Sequence, residues 1–252
     1  MLDGVQGISF SYVLCGIIWA VALGLAVGNY ACSLVHRLPR GKLLLDKPPY
    51  CGSCGTLLKT KDLFPVISAV LLRHRCRYCN APFPTSHTWT EILVALLFVL
   101  AFLQHGFSEP FYLIVFIGVF LITLAAIHAN EGIIMGKVLL CVVVAGMLYR
   151  TLQDGSIYGF FAGGLFGLIL GTVIKYKDVR RVGHIYSLPQ LAQLLAVGGI
   201  CVGAHAFPAF LVLFGVFYIA GKLAGKIPLT VPFGFAIMLP VLYPALGLFY
   251  GH

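Results

Sequence analysis

Four cysteines in two pairs carry the clearest chemistry in this chain: Cys51 and Cys54 in CGSC, Cys76 and Cys79 in CRYC. Between the pairs lie 21 residues. Each CxxC turn lets two sulfurs converge on one ion, and four thiolates complete the tetrahedron that Zn2+ prefers. Gly52, Gly55 and Asn80 suit the tight turns that such knuckles need. Four sulfur ligands leave no open position. The expected zinc is therefore structural, holding together a segment too small to build its own core. Two disulfides are the competing reading, and a reducing cytosol disfavours them.

A second group of polar residues interrupts an apolar run. Phe111–Ile127, FYLIVFIGVFLITLAAI, leads directly into His128, Asn130 and Glu131. His128 and Glu131 are three residues apart, near one face of a helix, where an imidazole and a carboxylate can meet. A third group, Ser187–Gln190, SLPQ, opens another apolar run. Both groups have a plain structural reading. The first is a wet helix end at a membrane interface. The second has the form of a capping box, with Ser187 as N-cap, Pro189 in the first turn and Gln190 reaching back. There is no HExxH zinc motif and no GxSxG nucleophile elbow.

The elements that position these residues are set by hydropathy. The chain has 252 residues, 60% hydrophobic and 10% charged, with mean hydropathy +0.98; a soluble domain carries about 25% charged residues. This composition excludes a soluble protein and predicts an all-α, polytopic membrane bundle. Apolar runs of spanning length fall at about 9–35, 89–105, 111–128, 133–150, 157–175, 188–204, 207–223 and 229–250. The expectation is about eight transmembrane helices. The first run is too long for a signal-peptide core and lacks a basic region before it, so no cleaved signal is expected.

Lysine and arginine set the expected orientation. Between Arg37 and His87 there are nine basic residues against Asp46 and Asp62. KYKDVRR (175–181) and GKLAGK (221–226) add six more, while QHGFSEP (104–110) and GAHAFP (203–208) have none. Both termini are expected outside and the large basic loop in the cytosol. The net charge of +9 is then mostly topology, attracting anionic lipid rather than nucleic acid, for which groove-binding signatures are missing. The expected organisation is a first transmembrane helix at 1–36, a cytosolic zinc-binding insert at 37–88 and a membrane domain at 89–252. Cys15, Cys32, Cys141 and Cys201 lie in apolar segments and read as small buried residues. The glycines of GFFAGGLFGLILG (159–171) read as close helix packing. No inverted repeat or broken-helix pair supports a transporter.

Three stretches carry a family resemblance. GNYACSLVHRLP (28–39) resembles the GSFLNVVIYRLP that closes the first helix of type IV prepilin peptidases. LFPVISAVLLRHRCRYCNAPFP (63–84) resembles the family's NIPVLSWLLLRGRCRYCGAPIS. HTWTEILVALLF (87–98) stands where the family has RYPLVELLTGLLF and keeps Glu91. The resemblance covers the first 100 residues closely and the remainder through helix count and spacing. It implies an intramembrane aspartic protease of the bacterial inner membrane, serving type IV pilus and type II secretion biogenesis. Such enzymes cut the short basic leader from prepilins and pseudopilins, then methylate the new N-terminus with S-adenosylmethionine. The partners it implies are those substrates and pilus or secretion assembly proteins. Glu91, Arg73, Arg75 and Arg77 are the candidates for a substrate or methyl-donor site; the plain reading of the arginines is positive-inside anchoring.

The family's two catalytic aspartates open IDxDxxxLPD and end GxGD. The first pattern falls on Ile127–Gly136, with His128 at the catalytic position. The second, anchored by QLAQLLAVGG (190–199), puts Gln190 there. Two close carboxyls must share a proton for the chemistry to work. Glutamine cannot titrate, and His128 lacks an acid partner unless Glu131 substitutes. The expectation is a proteolytically degenerate member, a pseudoenzyme that binds prepilin-like substrates. The alternatives are a methyltransferase-only member and an active leader peptidase/N-methyltransferase.

Overall fold

The computed structural model describes residues 10–41, 51, 53–57, 75–82, 86–154, 158–178, 188–224, 230–231, 233–234 and 236–237. Their regular structure is helical: α1 (Phe10–Arg37), a 3-10 turn (Leu38–Arg40), α2 (Ser86–His105), α3 (Glu109–Glu131), α4 (Gly136–Asp154), α5 (Tyr158–Asp178) and α6 (Leu188–Ala224). An isolated antiparallel bridge, Arg75 with Pro82, belongs to a cysteine knuckle.

Among the described residues, three stretches are long and apolar enough to cross a membrane: Ser11–Arg40, Thr88–His105 and Glu109–Glu131. Shorter apolar helical stretches cover Gly136–Tyr149, Phe161–Leu170 and Phe210–Ala220. The all-helical membrane architecture holds, whereas the count of eight spans is not reached among the described residues. Most of the 229–250 run lies outside them.

The chain divides into two compact units, Met1–Phe111 and Tyr112–His252. In the first, α1 packs against α2 through glycines. A Cβ on Gly24 would sit 2.6 Å from the Ala95 backbone, and one on Gly28 would sit 2.8 Å from Glu91 Cα. Gly16 in the same way faces the Phe102 ring. Positions rise along α1 as they fall along α2, so the helices run antiparallel. The Gly24-x-x-x-Gly28 spacing lets the two backbones approach where lipid gives no hydrophobic drive for association.

In the second unit, α5 and α6 make the same kind of contact. Gly199 lies against the Gly163 backbone, and Gly167 against that of Leu195. Cys201 on α6 reaches α4, its thiol 3.8 Å from the Val142 carbonyl. Sequence spacing divides 188–223 into two spans, but α6 is a continuous 37-residue helix containing Pro208. It cannot be straight. The Phe210 ring contacts Gly198, and twelve residues of straight helix separate two positions by about 18 Å. The path must fold back between them, which the missing proline N–H permits. Phe210 also meets Phe233 edge-to-face at 6.2 Å, tying residues near 233 to the bend.

Candidate functional site

The four cysteines come together. Their sulfurs all lie within 4.8 Å of one another, and Cys51 Sγ is 3.8 Å from Cys79 Sγ. A tetrahedral zinc with Zn–S bonds of about 2.3 Å has sulfur–sulfur edges of about 3.8 Å, so this donor set fits zinc. The two knuckles are built alike. Gly55 N–H donates to the Cys51 carbonyl at 2.9 Å, and Cys51 N–H to the Thr56 carbonyl at 2.9 Å. Asn80 N–H donates to the Cys76 carbonyl at 3.0 Å, and Cys76 N–H to the Ala81 carbonyl at 2.9 Å. Both turns close through a left-handed residue, Gly55 at φ +69° and Asn80 at φ +57°. Glycine and asparagine are the residue types that tolerate this conformation.

The thiols are not equivalent. Cys54 is lowered to about 6 by hydrogen bonds from the Thr56 hydroxyl and backbone. Backbone N–H groups of Tyr78 and Cys79 lower Cys76. Cys79 is pushed up to about 12: the Ala81 backbone pulls it down, but desolvation and the sulfurs of Cys54, Cys76 and Cys51 outweigh that. With no metal charge present, four adjacent sulfurs cannot all ionise. A bound Zn2+ would hold all four as thiolates and leave no coordination position for substrate.

His128 stands at the other candidate site. On α3 the fully or nearly buried residues Ile114, Ile117, Leu121 and Leu124 alternate at spacings of three and four, and His128 is the next position of that stripe. It is 8% exposed. Its Nδ1 lies 3.1 Å from Thr230 Oγ1. The helix ends one turn later with Gly132 at φ +70°, whose N–H returns to the His128 carbonyl at 3.0 Å, a left-handed C-cap. Asn130 and Glu131 are exposed. The polar group IHANE thus divides: Asn130 and Glu131 form the wet helix end, and His128 is a buried, partnered side chain.

Gln190 lies in the first turn of α6, which begins at Leu188. Its side chain, like Ser187 and Arg73, falls outside the described residues. Glu91 is buried on α2 at the close approach to Gly28. Arg75 and Arg77 are exposed on the second knuckle. Thr230 was not singled out by motif reading. Its one signal is a hydroxyl between Pro228 and Pro232 in an apolar run.

Comparison with known proteins matches residues 22–105 to the Bacterial Peptidase A24 N-terminal domain. That interval contains α1 from its middle, the four cysteines and all of α2. Among curated proteins, the chain is 28% identical over 191 residues to the prepilin leader peptidase/N-methyltransferase of Myxococcus xanthus (strain DK1622), covering 71% of this chain and 56% of that protein. To the protein of the same name from Burkholderia pseudomallei (strain 1026b) it is 26% identical over 234 residues, 75% of each chain. To that of Bacillus subtilis (strain 168) it is 28% identical over 228 residues, 85% of this chain and 87% of the other. No solved structure matches. The chain thus spans little more than half the length of the first of these relatives.

Proposed function

We propose that this chain, a membrane protein of the type IV prepilin peptidase family, binds prepilin-like substrates without cutting them. The observation that carries this reading is the pairing of His128 with Thr230, at the position onto which the sequence resemblance puts a catalytic aspartate. Aspartic proteolysis needs one carboxylate to take a proton from water and one carboxyl to give a hydrogen bond to the scissile carbonyl. A buried imidazole held by a hydroxyl, together with a glutamine at the second position, supplies neither. Glu131 is exposed at the last residue of α3, while the imidazole nitrogen nearest the backbone is committed to Thr230.

In this reading the zinc insert (37–88) is cytosolic, both termini are outside, and 89–252 forms the membrane domain that receives the apolar part of a prepilin. Zinc held by Cys51, Cys54, Cys76 and Cys79 keeps the insert folded. Pilus or secretion assembly proteins are the further partners. Methyl transfer from S-adenosylmethionine is the second reading. It is favoured by the A24 domain match, which falls on the segment 22–105 containing Glu91, Arg73, Arg75 and Arg77. Glu91 packs by its backbone against Gly28, however, and Arg75 and Arg77 lie on the exposed knuckle. No transfer step is assigned to these residues.

Intact mass of a prepilin co-expressed with this protein alone tests the proposal. The expected result is a full-length prepilin that co-purifies with the membrane protein. A mass loss equal to the leader would overturn the reading, and a methyl increment on a processed N-terminus would favour the second.

A further inference from the structure

The two knuckles share one backbone geometry but present different surfaces. Of its described residues, the first, Cys51–Thr56, exposes Ser53, Cys54, Gly55 and Thr56, none of them cationic. The second exposes Arg75 and Arg77 on either side of Cys76, and Tyr78 at 42% exposure. Their tethers differ as well. Nine residues separate Gly41 from Cys51, whereas three separate Pro82 from Ser86, where α2 begins. Four Cα steps of 3.8 Å span at most about 15 Å. Arg75 is bridged to Pro82, so its backbone is about 5 Å further at most. The apolar part of α2 starts at Thr88. The cationic knuckle is therefore confined near the start of α2, and the first knuckle is held beside it by the shared sulfur cluster.

We propose that the Arg75–Tyr78 edge of the zinc cluster docks on anionic phospholipid headgroups where α2 enters the bilayer. Headgroup layers are about 5–8 Å deep on each side of the hydrocarbon, and an anionic surface attracts cations within a Debye length of about 8–10 Å. Two arginines in the same short loop meet that field together. Tyrosine is a residue type that settles at the interface, with its ring toward the apolar side and its hydroxyl in water. Charge also selects the occupant: the insert carries nine basic residues against two acidic ones over 37–87, so a negative surface is attracted. The metal sets the spacing of the contact, because Arg75 and Arg77 flank a ligand. The knuckle becomes a fixed foot that sets the insert against the membrane plane, independently of any substrate.

Hydrogen exchange of the 75–82 amides tests this in full-length, zinc-loaded protein in nanodiscs. Discs of phosphatidylcholine alone are compared with discs containing one third phosphatidylglycerol. Exchange on the order of tenfold slower in the anionic discs, and reversed by high salt, is the expected result. An R75Q/R77Q variant that keeps its zinc, checked by metal analysis, should exchange equally in both discs. Equal exchange of the wild type in the two discs would overturn the proposal and needs no variant. So would a lipid-dependent difference that survives R75Q/R77Q. Protection in neutral discs on adding an acidic peptide, with none from anionic lipid, would assign the surface to a protein partner instead and also overturn it.

Discussion

The imidazole of His128 is hydrogen-bonded to the hydroxyl of Thr230, 102 residues further along the chain, at 3.1 Å. The contact joins the last turn of α3 to the segment between Pro228 and Pro232, and both side chains are buried. Replacing Thr230 with valine keeps the shape and removes the hydroxyl, leaving a buried ring nitrogen without its partner. That costs about 1–3 kcal/mol, read as a melting temperature lower by several degrees in detergent. Thr230→Ser should retain most of the stability. Equal melting of T230V and wild type would show that the pair contributes nothing.

This pair marks the limit of what the sequence discloses. The cysteine cluster is legible because covalent spacing dictates it: two CxxC turns with glycine or asparagine after each leave the sulfurs few alternatives. The end of α3 near Glu131 is legible because polar residues close its apolar run. Burial of His128 was available in principle, since it continues the stripe through Ile114, Ile117, Leu121 and Leu124. The wet-end reading overlooked it because Asn130 and Glu131 point the composition the other way. Thr230 was not legible at all. Its partner is 102 residues distant, and one hydroxyl in an apolar run is ordinary. The reversal within α6 is a different case: hydropathy suggests two pieces, 188–204 and 207–223, but helix-forming residues continue through both, so the turn is visible only in the Gly198–Phe210 contact.

The α1–α2 interface predicts an asymmetric response to adding one methyl group. A Cβ on Gly28 would stand 2.8 Å from Glu91 Cα. That neighbour is backbone and cannot rotate away, so α1 or α2 must shift. Gly28→Ala should destabilise by about 1–3 kcal/mol. Gly215, in the interior of α6, has no described neighbour within 4 Å of where a Cβ would stand. There, Gly215→Ala should be neutral or stabilising by up to about 1 kcal/mol. Thermal unfolding of the two variants in one detergent checks the contrast; similar losses in both would remove the close-packing argument.

Metal binding should depend on pH with a particular proton count. Zinc takes thiolates, so any thiol still protonated must release its proton and affinity rises with pH. Cys54, lowered to about 6, is mostly ionised already at pH 7 and has little to release. Cys79, raised to about 12, releases a full proton. Zinc uptake at pH 7 should therefore free fewer than four protons per ion. Below pH 6 the dependence should steepen as Cys54 becomes protonated. Calorimetry in buffers of different ionisation enthalpy counts the protons, and a value of four at pH 7 would contradict the assigned order. Cys51→Ser should lower bound zinc from one per chain and loosen the insert to proteolysis.

Placing carboxylates at positions 128 and 190 tests the proposal that these are the positions of the family's catalytic aspartates. Histidine Nδ1 and an aspartate Oδ are each bonded directly to Cγ, so His128→Asp places an oxygen close to where Nδ1 now meets Thr230. The Thr230 hydroxyl can then donate to the carboxylate, and the burial of position 128 would favour sharing a proton with a second acid. A single carboxyl cannot do both jobs. H128D and Q190D should each leave a co-expressed prepilin at full mass, whereas H128D/Q190D should release the leader. Processing by wild type or by either single variant would mean that another residue supplies the second proton-carrying group, with Glu131 the first to mutate. If the double variant binds prepilin as wild type does yet does not cut it, the divergence extends beyond the two side chains, into the positions of the α3 and α6 helix ends that carry them.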